Sequence, residues 1–158
     1  METTLEGAKE QNHDKIVKSL QELLEKNYDA EKGFRKALDN TKNNSLKNYL
    51  KHQAVKRNRF ATELDFEIRN LNAKPKESGS ATGSLHRAWI DLKSAIAGND
   101  DEAILEECIR GDKASVKEYE EVLKEHKLHS KIEQVVTQQL NDIRKTLNEV
   151  KRLEDLKE

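Results

Sequence analysis

Apolar residues along this chain recur every three or four positions, and nowhere alternate with period two over a useful length. The first stripe is Ile16, Leu20, Leu23, Phe34 and Leu38, widened by Leu24 and Ala37. It stops at the turn formers Asp39-Asn40-Thr41-Lys42-Asn43-Asn44, which predicts a helix over 14–41. Ser45 is a good N-cap for a second helix over 45–71, with Leu46, Leu50, Phe60, Leu64, Ile68 and Leu71 on one face. Asn72 to Ser78 carries the only Pro, which removes a backbone donor and constrains Lys74 before it. After the small residues Gly79 to Ser84, Leu85, Trp89, Leu92 and Ile96 mark a short amphipathic helix within 80–97, and Gly98 is its expected stop. Asn99 with Glu102 resembles a capping box for a helix over 100–126, carrying Ile104, Leu105, Cys108, Val116, Tyr119, Val122 and Leu123. Ser130 with Glu133 resembles another, for a helix over 130–156 with Ile132, Val136, Ile143, Leu147, Val150 and Leu153. Residues 1–13 show no period and are expected to be frayed.

Four segments of about 27 residues, each roughly 40 Å of helix, suit an all-α four-helix bundle in one domain over 14–156. Short first and last loops force two antiparallel hairpins. The long middle connection, with its own amphipathic helix, is expected to cross from one end of the bundle to the other. Two hairpins joined by one crossover is the ferritin-like arrangement. A faint internal repeat agrees at an offset of 85: Gly33-Phe34, Ala37-Leu38 and Ser45 return as Glu118-Tyr119, Val122-Leu123 and Ser130. Asn27 maps to Asp112 and Gln53 to Gln138 at the same offset.

Composition narrows the function classes. Charged residues make up 37% and aromatics 4%, so the core is narrow and the helix faces are solvated. Net charge is −1 from mixed signs, which is no nucleic-acid footprint. No apolar run approaches the roughly 18 residues of a membrane span. The first residues lack the apolar stretch of a secretory signal, and a single Cys permits no internal disulfide, so a cytoplasmic protein is expected.

The stretch Gly79 to Leu123 holds the only Trp, the only Cys and four of the six Gly. Its pieces GS-x-x-G-x-LHR-x-W-x-DLKSA, ILEEC, RGD and YEEVL, with RF-x-x-EL at 59–64, resemble an uncharacterised bacterial family of ferritin-like four-helix-bundle proteins, a domain of unknown function. The resemblance spans most of 14–153. It implies a helical bundle and a bacterial source, and it carries no established reaction. A stress-associated structural or interaction role is what it suggests. The chain departs from the pattern at Leu147, where relatives often show a His.

A ferritin-like bundle raises the question of a di-iron carboxylate site. That chemistry needs a Glu from each of two helices and Glu-x-x-His from each of the others. Glu63-x-x-Phe66, Glu67-x-x-Asn70, Glu133-x-x-Val136 and Glu149-x-x-Arg152 all lack the His. The one match, Glu10-x-x-His13, precedes the predicted bundle. His126 and His129, beside Glu125, straddle a turn and read as solvated rather than as a surface metal site. His86-Arg87 read as local partners of a Trp89 that anchors the crossover. Cys108 sits in an apolar stripe and reads as a small hydrophobe. Neither a phosphate-binding Gly-rich loop nor a nucleophile elbow is present. No catalytic, cofactor or metal residue is therefore expected.

One level of the bundle breaks the apolar pattern. Asn27 and Glu31 interrupt the first helix, Gln53 and Arg57 the second, Asp112 the third, and Gln139 stands near Ile143 in the last. Arg57 is expected to contact Glu31 or Asp112 there, taking the place a metal would hold. The function expected is non-enzymatic, in a structural or interaction protein that forms a homodimer. The alternative is a metal-binding or redox protein with a degenerate carboxylate site.

Overall fold

The computed structural model describes residues 2–77 and 90–156, and the side chains of 12–77 and 92–156. The small-residue run, Trp89 and His86-Arg87 lie outside the described residues. Among those described, five α-helices and one 3-10 turn occur and no strand: α1 Glu2–Asn40, α2 Asn44–Asn70, α3 Ile90–Ala97, α4 Asp101–Glu125, α5 Ser130–Glu149 and the turn Leu153–Asp155.

Contacts fix the directions of the long helices. His13 against Leu71 and Asn27 against Arg57 make α1 and α2 antiparallel. The short link from Glu125 to Ser130 turns the chain back, and α5 returns along α4 with Tyr119 against Gln139. Ser19 with His126 at one end, Lys26 with Glu118, and Thr41 with Asp101 at the other make α1 antiparallel to α4. Lys56 and Glu67 of α2 meet Asp142 and Lys131 of α5 in the same sense. Leu71 and Asp101 therefore lie at opposite ends of α1, about 40 Å apart by helical rise.

Several boundaries differ from the sequence expectation. α1 starts at Glu2, where residues 1–13 were expected to be frayed. The added turns contain Glu, Leu, Ala and Lys, which propagate a helix without any apolar stripe. α2 is capped by Asn43, whose side chain accepts from Leu46 N–H at 2.9 Å, so Ser45 is already helical. α4 is capped by Asp100, which accepts from Glu102 N–H and Ala103 N–H; Asn99 instead takes a left-handed backbone, φ 54°, after Gly98. Asn tolerates that region because its short polar side chain bonds locally. α5 is preceded by His129 without a side-chain cap bond, so the Ser130 box does not form.

The last helix was expected to reach 156 and stops at Glu149. Val150 turns extended, and Asp155 accepts from the Lys151 and Arg152 N–H groups. Leu153 N–H donates to the Glu102 carboxylate on α4 at 3.1 Å. Val150, Leu153 and Leu156 then pack on the core from an irregular tail.

The core falls into two apolar blocks. The first joins Leu20, Leu24, Phe60, Leu64, Tyr119, Val136 and Ile143 with their neighbours. The second joins Phe34, Ala37, Leu46, Leu50, Ile104, Leu105 and Cys108. α5 supplies buried apolar residues only to the first; Leu92 and Ala95 of α3 complete the second. Each fully buried Leu-sized side chain stabilises by about 1.5–3 kcal/mol. The internal repeat is visible in this packing. Phe34 and Tyr119 are both buried, as are Ala37 and Val122. At the Gln53 position it fails, since Gln139 rather than Gln138 is the buried residue.

The cap assignments are testable. Asn43→Ala and Asp100→Ala each remove a side-chain acceptor and should each cost about 1 kcal/mol in urea melts. Ser45→Ala should leave the midpoint nearly unchanged. A larger loss at Ser45 than at Asn43 would contradict this capping.

Candidate functional site

Between the two apolar blocks lies a polar layer contributed by α1, α2, α4 and α5. Arg57 is 1% exposed and is the largest fully buried side chain among the described residues. Its Nη1 donates to Asn27 Oδ1 at 2.9 Å. Its Nη2 donates to Asp112 Oδ1 at 2.8 Å and to Ser115 Oγ at 3.0 Å. Asn27 Nδ2 donates to Leu23 O and to the Tyr119 hydroxyl, both at 2.8 Å. That hydroxyl donates to Gln139 Oε1 at 2.6 Å. Gln139 Nε2 donates to Phe60 O and to Glu63 Oε1, where the network reaches the surface.

Asp112 is therefore the acid that Arg57 contacts. Glu31, the other candidate, is not in the layer. It stands one turn beyond Asn27 on the flank of α1, where Arg35 and Asn58 take its two oxygens. Ser115 and the linking role of Tyr119 escaped the sequence reading. Positions 112, 115 and 119 share one face of α4, so the helical spacing could have found both. Asn27 and Asp112, the residues paired at offset 85, both accept from the same guanidinium. Asp142, at that offset from Arg57, is half-buried and receives Lys56 at 2.6 Å and Arg59.

Burial raises the Asp112 carboxyl above its ordinary value of 3.8, and the charge and hydrogen bond of Arg57 pull it back without cancelling that effect. Burial pushes the Tyr119 phenol up to about 12, so it stays a neutral donor. Burial, then Asp112 and Glu107, raise the Cys108 thiol well above its usual range, which makes it an inert core residue rather than a nucleophile.

The other candidate residues are scattered. His13 bonds Leu71 O at 2.9 Å, tying α1 to the end of α2. His126 bonds Ser19 Oγ at 2.7 Å, while His129 is exposed. Glu67 is buried, with Lys131 Nζ at 3.6 Å from one oxygen and no hydrogen-bond partner on the other. Arg110 pairs with Glu107 and Gly111 is buried, so the RGD tripeptide is part of the helical packing. Among the described residues no three His, Cys, Asp or Glu lie close enough to share a metal ion.

A buried polar layer within packed long helices defines an all-helical protein organised around an internal ion pair. The chain belongs to the family described as a domain of unknown function, DUF2383, whose pattern matches residues 15–125. That span holds Asn27, Arg57, Asp112, Ser115 and Tyr119 and stops before Gln139. No curated protein matches the chain. No described helix is long and apolar enough to cross a membrane.

Removing one member of the pair strands the other. Arg57→Ala should cost about 3–5 kcal/mol, and Arg57→Met combined with Asp112→Leu should cost much less. The pH dependence has a definite sign. A carboxyl with a raised folded value adds stability below its unfolded value and loses that contribution as pH rises through the folded one. Without Arg57, its charge and its hydrogen bond no longer hold Asp112 down, and only the weaker pull of Lys56 remains. The deficit of Arg57→Ala relative to the parent should therefore be largest near neutrality and shrink as pH falls towards 3.8. Urea melts of both proteins across that range check it.

Proposed function

We propose that this protein is a ferritin-like four-helix bundle with a structural or interaction role rather than an enzymatic one. The observation that supports this reading most is the Arg57–Asp112 pair at 2.8 Å. In ferritin-like proteins the mid-bundle level is where inward carboxylates and imidazoles hold metal. Here a guanidinium fills that level and donates to Asn27, Asp112 and Ser115. The acids that a degenerate metal or redox site would draw on are already engaged, Glu31 by Arg35 and Asp112 by Arg57.

The proposal includes a homodimer. Val55 and Phe66 are the exposed large hydrophobics among the described residues, at 57% and 54%. They stand about three turns apart on one face of α2. A two-fold pairing of antiparallel α2 helices would set Val55 of each copy against Phe66 of the other, an isologous contact.

Chain purified without chelator should carry far less than one iron or manganese per chain. Light scattering should give twice the 18.2 kDa monomer mass. Phe66→Glu should return the mass to that of the monomer with the helical spectrum unchanged. Stoichiometric metal would overturn the structural reading, and monomer mass at every concentration would overturn the dimer.

A further inference from the structure

The early end of α5 leaves a cavity. The helix stops at Glu149, and the tail folds back so that Leu153 reaches Glu102 on α4. Between that tail and the N-terminal half of α2 lies a space of about 670 Å³. This is within the size range of small-molecule sites. Tyr49 and His52 of α2 form one wall; Glu149, Val150, Asp155 and Leu156 form the other. Phe66 of the proposed dimer face lies more than four turns along α2 from Tyr49, while Val55 of that face lies within one turn of His52.

One oxygen of Asp155 accepts from the Lys151 and Arg152 N–H groups, and the other polar groups of the lining keep capacity for a ligand. His52 donates from Nδ1 to Asn48 O at 2.8 Å in the tautomer that satisfies that carbonyl, which leaves Nε2 as an acceptor. The Tyr49 hydroxyl and the Glu149 carboxylate make no hydrogen bond to another described residue. Burial, with Asp112 and Cys108 beneath, raises the Tyr49 phenol far above its usual range, so it is a neutral donor rather than a phenolate.

The charge of the cavity has one sign. Its described lining includes the carboxylates of Glu149 and Asp155 and no Lys or Arg. The C-terminus of α5 opens there, and its last turn has no basic residue to offset the negative end of the helix dipole. The opposing effect, the start of α2, is partly spent on its Asn43 cap. Val150, Leu156 and the Tyr49 ring supply an apolar floor, and an aromatic face itself favours cations. We propose that this cavity binds a small organic cation: a primary or quaternary ammonium on an apolar body, its charge at Glu149 and Asp155 and its body against Tyr49, Val150 and Leu156.

The test is a titration of the full ¹⁵N-labelled chain with phenethylammonium, with phenylacetate as the anion of matching shape. The expected result is saturable shifts confined to residues 45–52 and 149–156, and none from phenylacetate. Glu149→Gln, at an exposed position, should weaken phenethylammonium binding at least tenfold without changing the melting temperature. Tyr49→Phe should weaken it several-fold. Phenylacetate binding as tightly as the cation would overturn the proposal. So would shifts that fail to saturate or fall elsewhere, or unchanged affinity in Glu149→Gln. None of these outcomes bears on the dimer or on metal content, so the cavity stands or falls separately from the reading above.

Discussion

The structure depends on a guanidinium that has no access to water. An Arg at 1% exposure has lost its hydration, and that loss is tolerable only if protein groups replace it. Arg57 finds Asn27 on α1 and Asp112 and Ser115 on α4. These bonds can be made together at one axial alignment of the three helices. A shift by one turn, about 5.4 Å, would leave a charge buried and unpaired. Tyr119 and Gln139 extend the same demand to α5. An apolar filling of this level would cost less to desolvate, but it would also accept neighbouring registers, since apolar contacts are non-directional. The buried pair therefore acts on alignment more than on net stability.

That layer also explains the division of the core. Each long helix interrupts its apolar stripe where it meets Arg57 or the chain of bonds leading from it, so the hydrophobic contacts form a block on either side. The two blocks are closed differently. Around the first, α1, α2, α4 and α5 each supply apolar residues. Around the second, α5 has nearly ended, and α3 and the tail cover what it leaves. An irregular tail fits a helical surface less closely than another helix would, and a cavity beside α2 is the result.

The offset-85 repeat is realised at some positions and abandoned at others. Buried aromatics and small residues match between α1 and α4 because both helices present the same kind of face to the centre. The central charge cannot match. Two guanidinium groups at equivalent positions would repel one another across the layer, and two buried acids would each lack a counter-charge. The second hairpin carries Asp142 where the first carries Arg57, and places it near the surface with Lys56 and Arg59. Internal symmetry here stops where electrostatics requires opposite partners.

The sequence by itself determined the helical class, the stripes that bury, the turn regions and the level at which polar residues gather. These follow from local periodicity and turn chemistry, which act over a few residues. It also singled out Arg57 and Asp112, because a charge inside an apolar stripe has to be paired wherever the stripe is buried. The partners lay beyond it. Whether Glu31 or Asp112 answers Arg57 turns on about 40° of rotation between Asn27 and Glu31 on α1, and the packing of α1 against α2 and α4 sets that angle. The same holds for Ser115, for the Tyr119 hydroxyl as a link, and for Asn43 and Asp100 winning the caps from Ser45 and Asn99. The end of α5 was decided last of all. Its apolar pattern continues to Leu153, and only the presence of Glu102 and the second core block draws Leu153 off the helix axis. Periodicity records which residues must be covered; tertiary packing decides what covers them.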